Sequence, residues 1–347
     1  MTDSKPTITE NNDSTITIEG EIPEANFTKH RGSALKALGK DLEIDGFRKG
    51  HVPEDILVKH IGDHALLHEM AERALAEHYG SLIMEYKLDA IGRPEVTITK
   101  LAFGNPLGFK LTTAVLPKVT LPDYKSLAAL AVKDKAAGDV VVTDEDVETF
   151  IKNILTERAK AVDSESKEAP ELTDEVAKSF GDFQTADDMR AKIREGMALD
   201  KKRMQREERR MAIIEALLKD TTVTIPDILI ESELNKIMMQ FANDLSRMGL
   251  DPKTYFEKVG KDEATMMKEF RPDAEKRAKV QLLLNEIALR EKLLPSPEEV
   301  SKEVDHVLEH HAPHDGHDDA RERESATIYV TTVMTNEKVL TFLEEQK

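Results

Sequence analysis

Apolar and polar residues alternate from Ser14 to Ile22, with Ile16 and Ile18 on one face and Glu19 and Glu21 on the other. That period of two is what a half-buried strand requires. Asn26 follows as a candidate cap for a helix running to about Lys40, with Phe27, Leu35 and Leu38 inward. Pro53 reads as the first residue of a short helix that Gly62 interrupts. Asp63 then caps a longer helix whose apolar stripe is Leu67, Met70, Ala71, Ala74 and Leu75. Beyond Gly92-Arg93-Pro94, two more alternating segments, Glu95–Leu101 and Gly108–Leu116, flank a turn at Gly104-Asn105-Pro106. Strand, helices and hairpin together predict a small α+β domain ending near Val132.

From Thr143 onward the apolar spacing turns helical. Thr143-x-x-Asp146 has the form of a capping box with Asp in place of Glu, opening a helix to about Ala161. Asp163–Pro170 is polar and reads as a linker. A long helix is predicted from about Ala186 to Lys219, with Met197, Met204, Met211 and Leu218 at seven-residue spacing as a thin apolar seam. Pro226 starts the next helix, with Leu234, Ile237, Phe241, Leu245 and Met248 inward and Gly249 as terminator. Asp251-Pro252 opens a short helix closed by Gly260, and a further helix runs to about Leu294 with a break or kink expected at Pro272. Ser296-Pro297-Glu298-Glu299 is the clearest helix start in the chain. Asn336–Gln346 reads as a final amphipathic helix.

Composition narrows the classes. The 347 residues hold no Cys, which removes disulfides, thiolate metal sites and cysteine nucleophiles, and no Trp. Aromatics at 5% argue against sandwiches and propellers. The opening residues are polar and lack the apolar core of a signal peptide. Leu127–Val132 is among the longest apolar runs, far short of a membrane span. A cytoplasmic protein without membrane contact is the expectation. Net charge is −18. Residues 1–133 hold 16 Lys and Arg against 19 Asp and Glu, and the remaining 214 hold 33 against 48. Neither part is the basic domain that sequence-independent nucleic-acid binding needs.

Several features bear on function. The segment Asp45–Pro53 places Gly46 and Gly50 around a Phe47-Arg48-Lys49 tip, with Pro53 restarting the helix. Such a tip can insert the ring into a pocket while the cations bind carboxylates or phosphates. The alternative is that Phe47 folds back into the local core and the charges solvate the turn. Nine of the thirteen Met fall between Met189 and Met267. Flexible, polarizable side chains suit a surface that accepts many apolar partners, although any one of them also serves as ordinary helix core. The basic run Lys201–Arg210 is interrupted by Glu207 and Glu208 and lacks interleaved aromatics, so a solvated helix with i,i+4 pairs is its default reading. His60, His64 and His68 form one histidine group, and His306, His310, His311, His314 and His317 form another among aspartates. Neither is set in a frame rigid enough to define a metal site, and no cofactor is implied. There is no G-x-S-x-G, phosphate-binding glycine loop or H-E-x-x-H.

The run Gly46-Phe47-Arg48-Lys49-Gly50, with Pro53 three residues on, resembles the ribosome-docking signature of the bacterial trigger factor family. The resemblance continues through Ile91-Gly92-Arg93-Pro94, Leu116-Pro117 and Leu121-Pro122-Asp123-Tyr124. It resumes at Pro170-Glu171-Leu172-Thr173-Asp174-Glu175 and at Arg271-Pro272-Asp273-Ala274-Glu275-Lys276-Arg277. It implies an α+β ribosome-docking domain at 1–133, a linker helix and polar linker at 134–170, and an elongated helical substrate-binding domain with arms at 171–347. It also implies docking beside the ribosomal exit tunnel through Gly46, Phe47, Arg48, Lys49, Gly50 and Pro53, and ATP-independent shielding of emerging, unfolded chains. On the arms, Met197, Met204, Met238, Phe241 and Met267 are the candidate substrate contacts. The family's usual prolyl isomerase domain has no counterpart: Thr156–Ala169 is polar and without aromatics, so no proline-gripping pocket can be built there. Enzymatic activity is therefore not expected. Three other readings stay open: a ribosome-independent holdase or assembly chaperone, an isomerase with an unrecognised site, and a homodimer that buries the methionine surfaces.

Overall fold

The computed structural model describes residues 5–40, 42–44, 47, 51–134, 141–162, 171–310 and 319–346. Strands β1 (Thr7–Glu10) and β2 (Thr15–Ile22) come first, then helices α1 (Glu24–Thr28), α2 (Arg31–Gly39) and α3 (Glu54–Tyr86). Strands β3 (Ala90–Lys100) and β4 (Leu107–Val115) follow, and the rest is helical. These helices are α4 (Tyr124–Asp134), α5 (Asp144–Val162), α6 (Asp174–Lys178), α7 (Ala186–Asp220) and α8 (Asp227–Arg247). After them come α9 (Pro252–Val259), α10 (Glu263–Glu291), α11 (Pro297–His310) and α12 (Asp319–Glu344). The chain divides into two compact units, one of Met1–Thr120 with Thr222–Leu282, the other of Leu121–Thr221 with Leu283–Lys347. Helices in 222–282 thus group with the N-terminal unit, whereas the sequence pattern draws its boundaries at 133 and 170.

The first unit is built on an antiparallel sheet in the order β1-β2-β4-β3. Ile18 lies opposite Leu111 and Ile22 opposite Leu107, so one face of the sheet collects Ile16, Ile18, Ile22, Leu107, Phe109 and Leu111, all buried. Gly20, opposite Phe109, has no side chain, and a Cβ there would stand 3.1 Å from the ring. Helix α3 covers this face with Leu66, Met70, Ala71, Ala74, Leu75 and Leu82, and Phe27, Ala34 and Leu35 close the flank. Each large side chain so buried contributes about 1.5–3 kcal/mol of transfer free energy. The buried Thr113 hydroxyl is satisfied by the Tyr79 hydroxyl at 2.8 Å. The same unit holds a second apolar cluster of Ile230, Leu234, Ile237 and Ala274, with Met267 and Phe270 against it.

The second unit is helical among its described residues. Val147, Ile151 and Leu155 of α5 pack with Leu172, Val176, Ile193 and Met197, while Val300 and Val304 of α11 pack with Val330 of α12. The capping box of α5 closes reciprocally: the Thr143 amide donates to Asp146 and the Asp146 amide to the Thr143 hydroxyl, both at 3.1 Å. At α11 the Ser296 amide donates to the Glu299 carboxylate at 2.7 Å. That bond, the Lys338 ammonium and the Ser296 hydroxyl hold the Glu299 carboxyl down to about 2.

Several sequence-based expectations are corrected. The helix expected from Asn26 to Lys40 is two helices, α1 entered from Pro23 and α2 from His30, and Asn26 lies inside α1. Pro53 sits one residue earlier than expected, with ψ at 145°, as the cap before α3 rather than its first turn. Gly62 interrupts α3 with φ at +79°, where the sequence places a break. Pro272 does not end its helix: α10 runs through it, and Ala274 just beyond is fully buried. The last helix starts at Asp319, well before Asn336, because its β-branched run Thr327–Val333 masks the helical signal. There the hydroxyls of Thr327, Thr332 and Thr335 donate to carbonyls four residues back. Strand β1 carries no signal that the alternation alone could find.

Gly92 shows why a turn residue matters here. Its φ of +73° suits glycine, and a Cβ added to it would collide with the Ile228 side chain of the same unit. Gly104 has a similar φ of +70° but open space around it. Gly104→Ala is expected to cost about 1–2 kcal/mol from the backbone alone, and Gly92→Ala measurably more, because Ile228 must also move. Urea unfolding of the two variants checks this, and equal midpoints would show that Ile228 is indifferent.

Candidate functional site

The loop between α2 and α3 is clamped at its stem. Gly39, the last residue of α2, lies so close to α3 that a Cβ would stand 2.9 Å from the Leu57 side chain. Only the missing side chain permits that approach. Arg31 and Glu54 pair across it at 2.8 Å, and Leu38, Leu42, Val52 and Val58 pack against the sheet core from both sides of the loop. Phe47 donates its amide to the Ile44 carbonyl at 3.0 Å, and the residue is 38% exposed. Pro53 caps α3 at the far end. Gly46, Arg48, Lys49 and Gly50 lie outside the described residues.

The five candidate substrate contacts fall in two places. Met197 and Met204 are on α7 of the second unit, while Met238, Phe241 and Met267 belong to the first. Met197 is half-buried against the α5 cluster, but Met204 is 61% exposed. The seven-residue seam is therefore not a packed seam: Met211 is exposed as well, and the residues of α7 that are fully buried include Met189, Ile213 and Leu217. In the first unit Phe241 anchors a ring cluster, with centroids 5.5 Å from Tyr255, 5.8 Å from Phe270 and 6.3 Å from Phe256. Met267 and Phe270 both pack on the neighbouring apolar cluster, and the Phe270 ring also meets Phe241. Met238 is half-buried.

Two accessible residues were missed. Met239 is 61% exposed, and Met248, expected inward, is 73% exposed. Met239 carries a readable signal, because it stands two residues from the buried Ile237 and hence on the opposite side of α8. Met248 escapes burial because α8 ends beside it, where Gly249 turns the chain at φ +72°. On α12, Ile328 and Tyr329 are exposed too.

The basic run on α7 is occupied by carboxylates of its own unit. Arg210 makes a bidentate pair with Glu337 at 2.7 Å and reaches Glu344 at 3.1 Å, Arg206 pairs with both, and Lys201 meets Asp146 at 2.9 Å. The Glu337 hydrogen bonds raise the Arg210 pKa further still, against its burial. Tyr124 is pushed up to about 12 by burial and by its bond to the Glu291 carboxylate, so it stays neutral. His64 and His68 lie 4.3 Å apart on α3 with their rings tilted by 43°, and among the described residues no three His, Asp or Glu side chains come together as metal ligands. The candidate group around His311, His314 and His317 lies outside the described residues. No helix among the described residues is long and apolar enough to cross a membrane.

A stem clamped at Gly39 below a partly exposed Phe47, and long helices with exposed methionines, are what the fold presents to solvent. The comparisons place it. Residues 4–154 match the family model described as bacterial trigger factor protein, and residues 185–345 match that of the trigger factor C-terminus. The trigger factor of Halalkalibacterium halodurans is 26% identical, with 86% of this chain and 88% of that protein covered. That of Geobacillus kaustophilus is 25% identical, covering 86% and 89%. A solved structure of the trigger factor chaperone, from work on its promiscuous substrate recognition in folding and assembly, shares the fold at a TM-score of 0.56. It is 14% identical and covers 98% of this chain and 100% of that one. The chain belongs to the bacterial trigger factor family of ribosome-associated chaperones.

Buried and accessible members of the apolar surface separate by stability. Phe241→Ala is expected to cost about 1–3 kcal/mol, since it removes the centre of four rings. Met239→Ser should stay within about 0.5 kcal/mol of the parent. Chemical denaturation of both variants checks the assignment.

Proposed function

We propose that this chain docks beside the polypeptide exit tunnel through Gly46, Phe47, Arg48, Lys49, Gly50 and Pro53 and shields emerging chains without ATP. The observation that carries this is the exposed Phe47 on a stem held by Gly39, Leu42 and Val52, within a family whose docking signature those residues resemble. An aromatic ring with two adjacent cations suits a surface of protein and phosphate. Residues 1–133 serve docking, 134–170 the connection and 171–347 substrate binding. Within the second unit the exposed Met204 and half-buried Met197 supply adaptable apolar contacts, and within the first unit the exposed Met239 and Met248 do so beside the half-buried Met238, Phe241 and Met267. Binding is weak and multi-point, delaying wrong burial until enough chain has emerged. The partners are the ribosome's large subunit and unfolded polypeptides, in the cytoplasm, with no specific nucleic-acid sequence read. Two copies can associate through the same methionine surfaces, which keeps a dimer within this reading.

The test is co-sedimentation with ribosomes at fixed salt. The triple variant Phe47→Ala, Arg48→Ala, Lys49→Ala is expected to lose saturable binding while its circular dichroism and melt stay unchanged. Equal binding by parent and variant would remove the docking assignment and favour a ribosome-independent holdase.

The isomerase activity usual in the family is proposed to be absent. The alignment with the Halalkalibacterium relative spans 388 positions, and 86% of 347 residues is about 298, so about 90 positions have no counterpart here, close to one domain. The rate of a proline-limited refolding reaction is expected to be the same with and without this protein, and catalysis there would establish an unrecognised site.

A further inference from the structure

Among the described residues strand β3 is an edge of the sheet, paired to β4 on one side. Its pairing is irregular between Ile91 and Glu95 and again between Ile98 and Lys100, and Pro94 has no amide hydrogen to offer. Such irregularities protect an edge from pairing with other chains. Between them Glu95, Val96, Thr97 and Ile98 pair regularly with β4 and leave their other side open. On the helix-covered face, α3 does not reach this strand. Val96 stands opposite the buried Leu111 yet is 48% exposed. The result is a cleft of about 850 Å³ walled by Leu75, Ala76 and Tyr79 on one side and by Val96 and Ile98 on the other.

We infer that this cleft binds an extended segment of an unfolded polypeptide as an added strand on β3. The inference rests on the chaperone reading above and names a client site outside the helical surfaces. Only an extended backbone satisfies a row of open strand hydrogen-bonding groups, and alternate side chains of that strand would point into the apolar cleft. This recognition is sequence-tolerant, since the hydrogen bonds go to the main chain. The charges fix the client further. Glu72 on the helix wall and Arg93 on the strand wall line the cleft, and neither has an ion-pair partner among the described residues. They complement a segment with a basic and an acidic residue flanking its apolar positions. Size decides against a second copy of this chain: four open residues at about 3.3 Å each give roughly 13 Å of edge, too little for the 1,000 Å² that a stable dimer needs.

The probe is a short fluorescein-labelled peptide of alternating Val and Thr with one Lys and one Glu end, titrated into the full chain by fluorescence anisotropy. Val96→Asp and Ala76→Arg alter exposed positions, so both variants should fold, and unchanged melts would establish it. Each is expected to weaken binding about tenfold or more. A peptide N-methylated on alternate residues should lose affinity to the same degree, because one of its edges can no longer donate. Undiminished binding of the N-methylated peptide would overturn strand addition, and undiminished binding by Val96→Asp would overturn the cleft. If Met204→Ser with Met239→Ser abolishes peptide binding while Val96→Asp does not, the chaperone reading stands and this site falls. If Val96→Asp instead changes the sedimentation coefficient, the occupant is a second copy and the inference fails.

Discussion

Burial of one face of a four-stranded sheet by α3 is the constraint on which the first unit depends. Ile18, Leu107, Phe109 and Leu111 must be covered, and the only long apolar stripe in this part of the chain is the one from Leu66 to Leu82. Once α3 lies there, its first turn is held against α2 by Leu57 at Gly39, and the loop between them has its ends pinned. Leu42 and Val52, before and after Phe47, are apolar and half-buried against the core, while Phe47 itself is partly exposed. The same geometry leaves the far strand short of cover. One helix spans the middle of the sheet, so the edge strand keeps Val96 and Ile98 at the margin of the core instead of within it.

In the second unit, charges organise what apolar residues do not. Helix α7 carries a dense basic run, and α12 brings Glu337 and Glu344 to it. Arg210 is mostly buried, and its fork takes both carboxylates, which makes the pair directional as well as attractive. Exposed pairs such as Arg203 with Glu207 contribute little each. Matching like this spends the positive charge of α7 on the protein itself, and it sits well with a chain whose net charge is −18. A surface so acidic repels other acidic polymers and leaves association to local patches.

The sequence discloses period and punctuation well and loses what tertiary packing overrides. The β2 alternation, the reciprocal caps at Thr143 and Ser296, and the stops at Gly249 and Gly260 all stand at the expected places, because each is set by a few neighbouring residues. Pro272 does not end α10, since one lost hydrogen bond is outweighed by buried neighbours such as Ala274 and Ala278. The β-branched start of α12 misleads in the other direction. Its Thr hydroxyls bond their own helix, and Val330 packs on α11, so propensity yields to context. The segment between α2 and α3 was legible as two glycines around Phe47-Arg48-Lys49, and the close approach of Gly39 to Leu57 at its stem was not, because those residues belong to different elements. The cleft beside β3 was invisible for the same reason: an edge strand is defined by which strands pair elsewhere.

The methionine seam of α7 shows how a surface can be apolar without being core. Seven-residue spacing puts Met204 and Met211 on one line, a thin apolar seam along a helix that is otherwise mostly charged. The helix is instead held by Met189, Ile213 and Leu217 and by the arginine network, all at other angles around it. Folding therefore places no demand on the exposed methionines, and their identity is free to be set by what they must touch. A side chain with three rotatable bonds and no branching adapts to many shapes at small cost. In the first unit Met239 stands in the same relation to Ile237, and Met248 to the helix end at Gly249. The residues that hold the helices and those that face outward are thus separate sets, and the outward set can change without cost to the packing.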